Sequence, residues 1–238
     1  MTDHLDAIRI EKLPEDAFYI ADFITEEEET WLLQRITSAP RTRWTHLTHR
    51  RLQTWPSKLT QNNALISSPL PSWLESPVIH PRLERLGFFA DAPHGAPNHV
   101  LVNEYRSGQG IMPHEDGAAY YPLVATVSLG SPIVLDLYER SRNEQPVEGG
   151  GRPRFRILQE RRSLLVTTKR LYTDFLHGIA ETRIDADLNA TTICNWDMLR
   201  DRDAFEQGWY ERETRISLTY RDVLKVVKLG NTMRFLSR

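Results

Sequence analysis

The chain has 238 residues, 40% of them hydrophobic, and 30 Lys and Arg stand against 32 Asp and Glu for a formal charge of -2. That length supports one large domain with a substantial core, and the near-neutral total excludes a whole-molecule attraction to polyanions. A single cysteine, Cys194, excludes an intrachain disulfide and a cysteine-rich zinc site, which suits a reducing compartment.

Met1 to Lys12 carries Asp3, Asp6, Arg9 and Glu11 and has no apolar core, so an export signal is not expected. No later apolar run is long enough to span a bilayer. Ala17 to Phe23 reads as a strand. Thr25 with Glu28 three residues on is a capping-box signature that opens a helix running to about Ile36. From Thr30 to Leu74 there is no Asp or Glu, while Arg35, Arg41, Arg43, Arg50, Arg51 and Lys58 all fall inside, so this stretch forms a local cationic surface. Within it, Trp44 and Leu47 followed by Leu52 and Trp55 predict a hairpin or paired loops. Pro71 is placed to start a further helix, and another is predicted from Pro81 to Leu86 before Gly87.

From Val100 the texture changes to short β-type runs between turn residues, as in an antiparallel sandwich or barrel. The strands expected are Val100 to Tyr105, Leu123 to Leu129, Ile133 to Tyr138, Arg154 to Leu158, Ser163 to Thr167, Phe175 to Ile179 and Arg212 to Val223. Ser141 to Pro153 reads as an exposed loop, and Leu188 to Tyr210 as a polar excursion. The C-terminal residues add Lys225, Lys228, Arg234 and Arg238. The division expected is an N-terminal α/β extension over 1–96, a core over 97–224 and a basic tail over 225–238.

The chemistry gathers in the second half. His114 and Asp116 stand two apart, so on a strand both side chains would face one point while Glu115 turns away. His177 lies in the apolar run Phe175-Leu176-His177-Gly178-Ile179, where an unpaired imidazole is costly unless a hydrogen bond or a metal satisfies it. Singly, such a histidine is more often a satisfied core residue. Two imidazoles and one carboxylate can take one face of non-haem Fe(II) and leave the opposite positions open. Asn103 and Tyr105, also two apart, offer an amide and a phenol. Arg215 to Arg221 alternates strictly, with Arg215, Ser217, Thr219 and Arg221 on one face, and a guanidinium binds a carboxylate in a two-pronged geometry that lysine lacks. The set describes a dicarboxylate beside iron.

In their order, Asn103-Glu104-Tyr105, His114-Glu115-Asp116, His177 and Arg215 to Arg221 resemble the AlkB-like Fe(II)/2-oxoglutarate dioxygenases, whose pattern is NxY, HxD, H and RxNxTxR. The longer phrases Asn98 to Tyr105, Gly110 to Gly117 and Val127 to Ser131 are most similar to the sixth eukaryotic branch of that family. The resemblance implies a mainly β protein with flanking helices, whose core is a double-stranded β-helix, or jelly roll. It implies Fe(II) on His114, Asp116 and His177, 2-oxoglutarate among Asn103, Tyr105, Arg215, Ser217 and Arg221, and O2 as the second cosubstrate. Ser217 stands where many members have asparagine, and the stretch between His177 and Arg215 is long.

The activity implied is oxidation of an N-methyl group on RNA or DNA, with succinate, carbon dioxide and formaldehyde as products. Because the family places nucleotide-binding loops before the metal strands, Trp44, Arg50, Arg51 and Trp55 become candidates for holding a single-stranded or flipped nucleotide, by stacking and phosphate contact. Equally, either tryptophan could pack inside. A dioxygenase acting on a protein side chain and a nucleic-acid-binding module with little activity are the alternatives. A zinc hydrolase would have no use for Arg215. No membrane partner, a monomer, and a nuclear and cytoplasmic location are expected.

Overall fold

The computed structural model of the protein describes residues 5–14, 16–140 and 152–228. In chain order its strands are Ala17–Ile20 (β1), Thr45–Leu47 (β2), Arg50–Trp55 (β3), Leu65–Ile66 (β4), His99–Tyr105 (β5), Ile111–His114 (β6), Leu123–Leu129 (β7), Ile133–Glu139 (β8), Phe155–Gln159 (β9), Leu164–Thr168 (β10), Phe175–Ile179 (β11), Ile184–Ala186 (β12), Trp209–Glu211 (β13), Arg215–Arg221 (β14) and Val226–Val227 (β15). A seven-stranded sheet runs β1-β10-β7-β14-β5-β3-β2, and a four-stranded sheet runs β6-β11-β8-β9, with every neighbouring pair in both sheets antiparallel. This is a double-stranded β-helix with flanking helices, the jelly roll that the motif order implies.

Strand alternation decides which side chains meet where. On β14, Ile216, Leu218 and Tyr220 join Val100, Val102, Ala125 and Val127 in one apolar cluster. The helix Glu26–Thr37 (α1) seals that face with Leu32 and Ile36. Burying each of these two side chains stabilises the fold by about 1.5–3 kcal/mol. The other face of β14 carries Arg215, Ser217 and Thr219 into a cavity that the small sheet closes with His114, Leu135, Leu137 and His177. The polar face of this strand is therefore enclosed rather than solvated, with Arg215 2% exposed and Ser217 3%.

The capping box forms as read: Glu28 N donates to Thr25 Oγ1 at 3.2 Å and Thr25 N to Glu28 Oε2 at 2.8 Å. On the same helix Glu29 is fully buried and accepts from the Gly130 amide at 2.7 Å and from Arg161 Nη2 at 2.6 Å, which pins α1 to two turns of the large sheet. Gly130 takes φ +82, and a Cβ there would lie 2.7 Å from the Thr214 carbonyl, so the turn demands glycine. Helical turns cover Ser72–Leu74 and Glu84–Leu86, with Gly87 in the left-handed region closing the second. Between them Ser76 and His80 are extended, because each precedes a proline, Pro77 and Pro81.

Several expectations change. The strand opening at Ala17 ends at Ile20, and Asp22 turns the chain with φ +45. The 1–96 segment is not set apart from the core, since β1, β2 and β3 are strands of the large sheet. A short helix, Lys169–Thr173 (α2), and the ribbon of β12 with β13 had no periodic signal in so few residues. Val226–Val227 pairs in parallel with Leu65–Ile66, so the segment read as tail begins as a strand. Most of the loop expected over Ser141 to Pro153, and Arg234 and Arg238, lie outside the described residues.

Candidate active site

β6 and β11 are neighbours in the small sheet, and their register sets His114 opposite His177. The two rings stand 4.3 Å apart between centroids. Close approach of these strands depends on Gly110, where a Cβ would fall 2.2 Å from the Ile179 carbonyl. β6 ends at His114. Asp116 therefore does not reach the site by strand alternation, and the reading that put both ligands on one strand is corrected. A loop carries it, tied down by Tyr121 N to Asp222 O at 2.8 Å, Leu224 N to Ala119 O at 3.0 Å, and the Tyr172 hydroxyl to Gly117 O at 2.7 Å. One ligand atom from each of His114, Asp116 and His177 lies within 4.8 Å of the others.

Electrostatics prepare these three groups for a cation. Burial pushes the His177 imidazole down to about 4, with His114 and Arg221 lowering it further against Asp116, so the ring is neutral and can donate a lone pair. His114 Nδ1 sits 2.9 Å from the Met112 carbonyl. That carbonyl can only accept, so Nδ1 carries the proton and Nε2 is left as the free ligand atom. Arg221 Nη1 donates to Asp116 Oδ1 at 2.6 Å, and its guanidinium lies 4.1 Å from the Tyr120 ring centroid.

Away from the histidines the cavity, about 110 Å³, is lined by Asn103, Tyr105, Arg215, Ser217 and Gln159 among apolar neighbours. It is far below the roughly 300–1,000 Å³ of sites for drug-sized ligands, so it suits a small cosubstrate and not a nucleoside as well. Arg215 Nη2 donates to Ser128 Oγ at 2.9 Å and to Gln159 Oε1 at 3.1 Å, while its Nε and the Asn103 Oδ1 are buried without partners. Burial lowers the Arg215 guanidinium to about 10, still charged at neutral pH. A buried cation whose hydrogen-bond partners are neutral is costly to keep, and an anion in the cavity offsets that cost.

Of the residues read from sequence, the structure brings His114, Asp116, His177, Asn103, Tyr105, Arg215 and Ser217 to one cavity, with Arg221 behind Asp116. Arg50 lines it too. Trp44, Arg51 and Trp55 do not. Trp44 is buried beneath the Arg51 guanidinium, 4.0 Å from its ring centroid, and Arg51 makes a two-pronged pair with Glu104 at 2.8 and 2.6 Å. Trp55 packs edge-on to Trp73 at 5.6 Å and lies under Arg43. The idea of an open stacking platform at Trp44 is corrected accordingly. Sequence reasoning missed Ser128, Gln159, Tyr120 and Tyr172. Ser128 lay within a phrase that carried the resemblance, but the other three had no spacing signal.

Residues 16–221 match the 2OG-Fe(II) oxygenase superfamily. The chain belongs to that superfamily. This oxygenase is also 36% identical over 227 residues to the Danio rerio protein named Probable RNA/DNA demethylase ALKBH6, covering 94% of this chain and 92% of that one. The AlkB-like resemblance read from its motifs stands. Among solved structures, OsALKBH1 superposes with TM-score 0.54 at 13% identity, covering 88% of this chain and 99% of that one. A 2OG-Fe(II) oxygenase family oxidoreductase from Burkholderia pseudomallei gives 0.51 at 12%, covering 89% and 88%. At such identities these two show the fold alone. As a superfamily member the protein is a dioxygenase that uses Fe(II), 2-oxoglutarate and O2. The residues fit those groups: an N,N,O donor set with an open side suits ferrous iron, and the orphaned Arg215 Nε and Asn103 Oδ1 suit a dicarboxylate.

Proposed function

We propose that this oxygenase removes N-methyl groups from RNA or DNA, with His114, Asp116 and His177 holding Fe(II) and Arg215 anchoring the distal carboxylate of 2-oxoglutarate. The observation that carries the catalytic part is the buried Arg215 guanidinium, paired only with neutral groups, in the same cavity as the two histidines and Asp116. When bound, iron with O2 supplies the oxidising power that converts 2-oxoglutarate to succinate and carbon dioxide and hydroxylates a methyl carbon. The hydroxymethyl amine then divides into free amine and formaldehyde.

The protein's own groups hold and orient. Arg215 meets one carboxylate in a two-pronged geometry, and Asn103 and Tyr105 border the path between it and the histidines. Arg221 keeps Asp116 turned through its 2.6 Å contact. Ile111, Leu135, Leu137 and Ile179 keep the lining apolar and exclude water from the reacting centre.

Nucleic acid as the substrate is supported by the name of the zebrafish relative and by the acid-free stretch from Thr30 to Leu74, where Arg41, Arg43 and Lys58 are exposed. The test is turnover on short RNA and DNA strands carrying one N-methylated base, against a trimethyl-lysine peptide, with succinate and formaldehyde measured together. Equal amounts of both products with nucleic acid are expected. Stimulation by the peptide alone would move the reading to a protein side chain.

A further inference from the structure

We infer that Arg50 is a second cosubstrate residue, its guanidinium joining Arg215 on the distal carboxylate of 2-oxoglutarate. This rests on the reading above, in which Arg215 anchors that carboxylate, and it gives Arg50 to the cosubstrate and not to a nucleotide. Arg50 and Arg51 are adjacent on β3 and therefore point to opposite faces. Arg51 is committed: it holds both oxygens of Glu104 and covers Trp44. Arg50 turns the other way and lines the cavity, its Nε is buried without a hydrogen-bond partner, and no described carboxylate pairs with it.

Register fixes which end of the cavity Arg50 serves. Arg51 lies opposite Glu104 and Tyr105 opposite Arg215, so Arg50, Tyr105 and Arg215 form one row across three adjacent strands. Arg215 and Arg221 are the first and last of the seven residues of β14, roughly 20 Å apart along the strand. Arg221 holds Asp116, so the metal ligands belong to the opposite end from Arg50. Between the ends, Asn103 faces Ser217 and Leu101 faces Thr219, and all four line the cavity. The small sheet gives the same order, because Tyr105 clusters with Ile133 and with Ile179, which lies past His177 on β11. A methyl group has to be delivered beside the metal. The Arg50 end is thereby left to the part of the cosubstrate that does not react.

Charge makes the same assignment. Asp116 is matched by Arg221, while Arg215 has only Ser128 and Gln159 and Arg50 has no carboxylate among the described residues. Both guanidinium groups are felt at the phenol between them: burial raises Tyr105, and Arg215 and then Arg50 act against that rise. A carboxylate offers two oxygens with about four lone-pair sites, enough to receive Arg215 from one side of Tyr105 and Arg50 from the other. One distal carboxylate therefore offsets the cost of two enclosed cations. The consequence is selectivity for a keto diacid over a keto monoacid.

The experiment is calorimetry on the full chain loaded with Mn(II), in wild type, Arg50→Gln, Arg50→Lys and Arg215→Gln. Each is titrated with 2-oxoglutarate and with 2-oxovalerate, which has the same keto acid end and a methyl in place of the distal carboxylate. Arg50→Gln is expected to weaken 2-oxoglutarate about tenfold and to leave 2-oxovalerate unchanged. Arg50→Lys, which keeps the charge and loses the planar fork, should fall between wild type and Arg50→Gln. Wild-type affinity for 2-oxoglutarate in Arg50→Gln, with Arg215→Gln weakened, would overturn the Arg50 assignment alone. Equal weakening of both ligands in Arg50→Gln would overturn it too, since the residue would then shape the cavity without touching the carboxylate. If Arg215→Gln also binds 2-oxoglutarate as wild type does, the anchoring role of Arg215 falls with it.

Discussion

The Tyr172 hydroxyl donates to the Gly117 carbonyl at 2.7 Å, one residue beyond Asp116. Since β6 stops at His114, that bond and the two backbone bonds to Asp222 and Leu224 fix the loop, and Arg221 turns its Asp116 carboxylate toward the two imidazoles. Burial, with Asp116 nearby, raises the Tyr172 phenol well above its ordinary range, so it remains a proton donor at every workable pH. Tyr172→Phe keeps the ring and removes only the donor. Affinity for Fe(II), or for Co(II) as an air-stable probe, is expected to fall by about 10-fold, and anaerobic titration of the metal-free protein reads it directly. Unchanged affinity would show that the backbone bonds alone fix the loop.

Arg215 leads to an expectation with opposite signs in two measurements. It is 2% exposed, its hydrogen-bond partners are the neutral Ser128 and Gln159, and its Nε has none. Arg215→Gln removes an uncompensated buried charge, so the cosubstrate-free protein should be as stable as wild type or more so. The same change should raise the KM for 2-oxoglutarate at least about tenfold. Thermal melts with and without 2-oxoglutarate check both: a ligand-dependent rise in Tm belongs to wild type and should vanish in the variant.

His99 sets an acid-side slope on stability. Its ring is 1% exposed, and burial, with Arg221 adding and the Ser57 backbone opposing, pushes its pKa down to about 4. The unfolded chain, with an ordinary histidine near 6.5, then binds more protons than the native one between pH 6.5 and 4. Stability therefore rises with pH across that window and falls as pH drops through it. Between pH 7 and pH 5 this group alone should remove about 2 kcal/mol. Urea unfolding at the two pH values measures it, and His99→Phe, which keeps an aromatic ring against Tyr120, should remove that share of the difference.

The motifs were legible because their chemistry is written in residue type and order: two histidines, an aspartate and alternating arginines leave few other readings. What the sequence hid was facing. Nothing in the run from Arg50 to Trp55 tells that Arg50 looks into a cavity while Arg51 is consumed by Glu104, since that depends on which strand β3 pairs with. Trp44 looked available for stacking because it lies in the segment before the metal strands, yet Arg51 lies across it. Ser128 and Gln159, neutral residues on β7 and β9, become hydrogen-bond partners of Arg215 only after the two facing sheets bring them together. Tyr172 sits on a helix too short to leave a period.

The excursion between His177 and Arg215 is anchored by another pair that spacing could not disclose. Arg212 holds both oxygens of Asp185, at 2.7 and 2.6 Å, and its Nη1 donates to the Ala180 carbonyl at 2.6 Å, with both side chains at most 3% exposed. The pair closes the β12–β13 ribbon and ties it to the end of β11, the strand that carries His177. Arg212→Gln leaves the Asp185 carboxylate buried without its cation and is expected to cost about 3–5 kcal/mol in chemical denaturation. Replacing both partners with leucine removes the two charges together, so that double variant should recover most of the loss. A double variant as unstable as Arg212→Gln would mean that the contact to Ala180, and not the ion pair, holds the ribbon in place.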